Sequence, residues 1–92
     1  MEQKKLDEIV YMQKCKEFKN YFKIDAYKFF HPLMTKITGQ PFFDIIAFDE
    51  FLHNVYGYSE EKHGSIKDFL CYHFDENVCM LVEDFVYCRF FK

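Results

Sequence analysis

Four cysteines and four histidines in a chain of 92 residues raise the question of a metal centre first. Zinc needs four nitrogen or sulfur donors converging on one point. Only Cys71, His73 and Cys79 lie close enough along the chain to be considered together. Two residues apart on a helix means about 200° apart around it, so Cys71 and His73 cannot both reach one ion. Cys79 and Cys88 likewise leave the last helical segment in different directions. No metal ligand set and no cofactor is expected. With no C-x-x-C pair, and with Cys15, Cys71, Cys79 and Cys88 set among regular apolar positions, the cysteines read as reduced core thiols rather than a disulfide framework.

Acid–base chemistry needs a carboxylate beside an imidazole with a nucleophile in reach. Asp49 and His53 have the i, i+4 spacing, but no hydroxyl or oxyanion donor is recognisable beside them, so they read as an exposed helical ion pair. His63 lies among Glu60 and Glu61 and reads as solvated. Ser59 and Ser65 lack the G-x-S-x-G elbow, and three glycines are too few for a phosphate cradle. No catalytic residue is assigned, and an enzyme is not expected.

Charge says more than any motif. Residues 1–36 carry eight lysines against five acids, a net +3, whereas residues 37–92 carry four basic residues against ten acids, a net −6. Most of those acids come as doublets: Asp49-Glu50, Glu60-Glu61, Asp75-Glu76 and Glu83-Asp84. Solvated helix faces and helix N-termini account for them. They could also steer encounter with the basic groove of a nucleic-acid-handling protein. On the first helical segment Lys5, Lys16, Lys19 and Lys23 form a narrow stripe around Met12. That stripe allows phosphate contact, or pairing with the acidic half of a second copy in a homodimer. With no arginine in the stripe and no recognised binding signature, base readout has little support.

The elements that must position these residues are helical. Leu6, Val10, Tyr11, Cys15, Phe18, Tyr21 and Phe22 share one half of a helix over residues 3–22, with Asp7 and Lys14 intruding. Pro32 forces a break, with one turn capped by Asp25 through Phe30 and a short helix running from Pro32 to Gly39. Asp44 as N-cap, Phe43 and Phe48 as a hydrophobic staple, and Gly57 as the stop predict a helix over 45–56. It turns Ile45, Phe48, Phe51, Leu52, Val55 and Tyr56 inward, and Asp49, Glu50, His53 and Asn54 outward. A strand through Phe42 to Phe48 is the competing reading. A loop from Tyr58 to Gly64 leads to a helix capped by Ser65, with Ile66, Phe69, Leu70 and His73 on one side. Asp75 caps the last helix, whose inner face is Val78, Leu81, Val82, Phe85, Val86 and Cys88. The expected architecture is one all-α domain over residues 1–92, a bundle or orthogonal array of about five short helices.

Thirteen phenylalanines and seven tyrosines load this small chain with rings. A fold of this size removes only about 60% of its surface from water, so a ring surplus implies a surface meant for another chain. The charged N-terminus is not a secretory signal and no apolar run approaches a membrane span, which places the chain in the cytoplasm, that of a host cell if it is phage-encoded. A small acidic chain, rich in rings and without catalytic machinery, resembles the accessory proteins of bacteriophages and mobile elements, including inhibitors of host defence such as anti-CRISPR proteins. That likeness rests on size and composition. It implies a non-enzymatic module that occludes a larger protein. The expected docking residues are Tyr56, Tyr58, Glu60 and Glu61, with Asp49 and Glu50 beside them. The alternatives are a small nucleic-acid-binding protein acting through the lysine stripe, and a structural homo-oligomer.

Overall fold

The computed structural model describes the backbone of residues 2–90 and the side chains of residues 6 and 8–90. The chain is all-α. Helix α1 spans Glu2–Phe22, a 3-10 turn follows at Ala26–Phe29, and then come α2 (Pro32–Thr38), α3 (Ile45–Tyr56), α4 (Glu60–His63), α5 (Ile66–His73) and α6 (Glu76–Tyr87). The element beyond the expected five is α4, which forms inside the anticipated loop. Ser59 stands at its start, Glu60 and Glu61 fill its first turn where negative charge suits a helix N-terminus, and Gly64 closes it.

Local signals set most boundaries. The carboxylate of Asp44 accepts from the Ala47 amide at 3.0 Å, the Ser65 hydroxyl from Asp68 at 3.2 Å, and Asp75 from Val78 at 3.1 Å. Each such cap stabilises its helix by about 1 kcal/mol. Gly39 and Gly57 end α2 and α3 at φ of 75° and 71°, a left-handed conformation that a Cβ would strain. The strand expected as an alternative over 42–48 shrinks to one antiparallel bridge between Phe30 and Phe43, because the Asp44 cap commits the following residues to helix.

An aromatic interior holds the helices together. Phe18 of α1 is fully buried, and its ring meets those of Phe22, Phe29, Phe43, Phe48 and Phe85 at centroid distances between 4.8 and 6.1 Å. The edge-on pairs Phe18–Phe85 and Phe22–Phe48 add about 0.5–1.5 kcal/mol each beyond the area they bury. Leu52, Phe69, Leu70, Val78, Leu81 and Val82 complete the packing from α3, α5 and α6.

The inward face of α1 is narrower than its sequence pattern suggests. Tyr11, Cys15, Phe18 and Phe22 are buried, while Leu6, Val10 and Tyr21 are exposed. On α3, Val55 is exposed as well.

Cys71 and Cys79 are joined in a disulfide between α5 and α6, with their Cα atoms 5.9 Å apart. This overturns the expectation of four reduced thiols. The tight turn at Phe74 and Asp75 folds α6 back on α5 and brings the two residues face to face, a pairing that single-helix geometry cannot reveal. Cys15 and Cys88 are free.

Candidate functional site

The N-terminal part of α3 and the facing sides of α5 and α6 do not close on one another. They leave an open groove of about 510 Å³. Its apolar wall comes from Ile45, Ile46, Ile66, Leu70, Val82 and Val86, and Asp49, Glu60 and Glu83 stand at its rim. The floor exists because Ile45, Ile66 and Val86 are only half buried against the core, and Ile46 is 71% exposed. A surface of this kind offers desolvation at its centre and negative charge at its edge.

One rim charge is already compensated. Lys67 on α5 reaches Glu83 on α6 at 2.7 Å across the groove wall. This contact holds the Glu83 carboxyl below its ordinary range and the Lys67 ammonium above its own. Asp49 and Glu60 have no ion-pair partner among the described residues. Beneath them, burial pushes the Tyr58 hydroxyl above its ordinary value, and the charges of Asp49, Glu60 and Asp68 push it further the same way. That end of the groove is therefore electronegative. Past it lies an adjoining hollow that shares Asp49, Tyr58 and Glu60 and adds His53, Ser59 and Glu61.

The structure thus gathers four of the expected docking residues, Asp49, Tyr58, Glu60 and Glu61, about one depression. Tyr58 does not serve as an exposed anchor. It is 4% exposed, stacks on His63, packs against the tilted ring of Phe69, and donates its hydroxyl to the Gly64 carbonyl at 2.8 Å. Tyr56 is 37% exposed and lies apart from the groove, packed against Phe22, Phe51 and Phe74. Glu50 is exposed and lines neither hollow.

The Asp49–His53 pair does not form. Nδ1 of His53 lies 2.6 Å from the Tyr58 carbonyl oxygen, which can only accept, so the ring donates there and ties α3 to the loop that follows it. His63 is half buried in α4 rather than solvated, and its Nδ1 accepts from the Ser59 amide at 3.1 Å. Among the described residues no group of three or more histidines, cysteines or carboxylates is arranged to hold a metal ion.

In the stripe, Lys16 and Lys19 are exposed on the outer side of α1, Lys19 lying 3.5 Å from Asp25, and Lys23 is exposed just past the end of the helix. The side chain of Lys5 lies outside those described. The ring surplus is one of tyrosines rather than phenylalanines. Only Phe42 is exposed among the described phenylalanines, whereas Tyr21, Tyr27, Tyr56, Tyr72 and Tyr87 all face solvent. Tyr87 stands at the groove, 66% exposed, with the Arg89 guanidinium 5.4 Å from its ring centre.

Among the described residues no helix is long and apolar enough to cross a membrane. No family model, curated protein or solved structure matches the chain. What fold and site define is a small all-α domain with an acid-rimmed apolar groove.

Proposed function

We propose that the chain is a non-enzymatic protein-binding module whose groove receives a basic amphipathic helical segment of a larger protein. The observation that carries this reading is the pairing of an apolar wall at Ile46, Ile66 and Val86 with the uncompensated carboxylates of Asp49 and Glu60. A helix bearing apolar residues on one face and lysine or arginine along its flanks satisfies both features at once. Occlusion of such a helix in a nucleic-acid-handling protein would make the chain an inhibitor. Its size and composition favour that form of the reading, as an accessory protein of a phage or mobile element.

The test is fluorescence anisotropy with a labelled leucine–lysine amphipathic peptide and its leucine–glutamate counterpart. The wild-type chain binds the basic peptide and not the acidic one. Glu60→Lys and Asp49→Lys each weaken binding about tenfold, more at low salt than at high. Equal affinity for the two peptides, or indifference to both substitutions, overturns the reading.

A further inference from the structure

We propose that in the absence of another partner the groove is occupied by the outer face of α1 from a second copy of this chain. The inference rests on the reading of the groove as an acceptor for a basic helix, and it names a helix that the protein itself supplies. Ile9, Met12, Lys16 and Lys19 recur at helical spacing on the side of α1 turned away from Phe18, and the exposed Lys23 follows just past the helix end. Ile9 and Met12 are 57% and 49% exposed, large apolar side chains one to three turns N-terminal to Lys16 and Lys19. Lys16 and Lys23 have no ion pair among the described residues.

The face has the chemistry the groove lacks. Its apolar residues match the wall formed by Ile46, Ile66 and Val86, and its ammonium groups match Asp49 and Glu60. Shape runs in the same direction. Ile9, Met12 and Lys16, together with Glu8 and Gln13, border a hollow on the surface of α1, and Ile46 projects at the groove with 71% of its surface exposed. The whole molecule is polarised in the same sense, net +3 over residues 1–36 and net −6 over residues 37–92. Two copies placed with these halves opposed attract, whereas like halves repel. Because the two patches differ, each copy gives one and accepts one. A two-fold axis closes the pair, and any other rotation builds a ring or a chain.

The experiment is sedimentation equilibrium on the full chain at about 50 mM and about 500 mM salt, a change that shortens the screening length severalfold. Association is expected at the lower salt, weakened at least about tenfold at the higher. Lys16→Glu and Glu60→Lys replace exposed side chains, and circular dichroism checks that both variants keep their helices. Each alone is expected to lose self-association about tenfold or more. An equimolar mixture regains it, since each contact then faces opposite charges again. A wild-type chain that stays monomeric at low salt, or an assembly that both variants leave intact, overturns the proposal. The two readings fail separately. A monomer that still takes the leucine–lysine peptide defeats self-docking alone, and an assembly that breaks with both variants but ignores the peptide defeats the partner reading alone.

Discussion

The ammonium of Lys67 lies 2.7 Å from the carboxylate of Glu83, joining α5 to α6 along the groove wall. Glu83 is held below its ordinary value of 4.5, so its contribution to stability is present above that pH and fades as pH falls through the lowered folded value. Lys67 is held above its ordinary value of 10.5, so its contribution is present below that pH and fades as pH rises through the raised folded value. Urea midpoints of the wild type and of Glu83→Gln are expected to differ at neutral pH and to converge in acid, once the pH has fallen below the lowered folded value and the wild-type carboxylate is protonated too. An equal difference at both pH values contradicts this assignment. The same variant leaves Lys67 uncompensated and is expected to weaken capture of the leucine–lysine peptide.

Tyr58 acts as a strut beneath the electronegative end of the groove. Removing its hydroxyl in Tyr58→Phe breaks the bond to the Gly64 carbonyl and is expected to cost about 1 kcal/mol by urea denaturation. Tyr58→Ala also empties the space against Phe69 and is expected to cost about 3–5 kcal/mol, as other buried ring deletions do. Similar losses from the two variants would mean that the ring contributes little beyond its hydroxyl.

Thiol counting tests the covalent link. Of the four cysteines, two are expected to react with a thiol reagent in denaturant before reduction and all four after it. Closing so short a loop is worth about 2–3 kcal/mol on chain-entropy grounds, and Cys71→Ser is expected to lower stability by an amount of that order. Four reactive thiols in the untreated protein would refute the link.

A gel-shift series at two salt concentrations addresses the lysine stripe. The protein-binding reading expects no retardation of bare DNA or RNA even at low salt, because few cations share that face and Lys19 is engaged with Asp25. Retardation that disappears with Lys16→Glu would favour the nucleic-acid alternative instead.

Much of the architecture was legible because it depends on residues close together in sequence. Asp44, Phe43 and Gly57 bound α3 through a cap, a staple and a left-handed stop, each acting within a few residues. Pro32 opens α2, and Ser65 and Asp75 open α5 and α6. The groove was harder to foresee. Glu60 and Asp49 stand out by charge, but the groove beside them depends on how α3 packs relative to α5 and α6, and no spacing records that packing. Ile46 belongs to neither the inward nor the outward face that the sequence pattern predicts for α3, yet it is 71% exposed at the groove. Tyr58 looked like a loop residue free to meet a partner. Only the fold shows that Phe69, eleven positions on, claims its ring.

Helix α2 contains no buried residue, and the chain on either side of it meets again where Phe30 bridges Phe43 and the His31 amide bonds the Phe42 carbonyl at 2.9 Å. The excursion therefore leaves the body and returns to nearly the same point. It is the natural place to trim the protein or to splice in a tag or a reporter, since a short turn linking the two bridge residues would leave the ring-filled interior untouched.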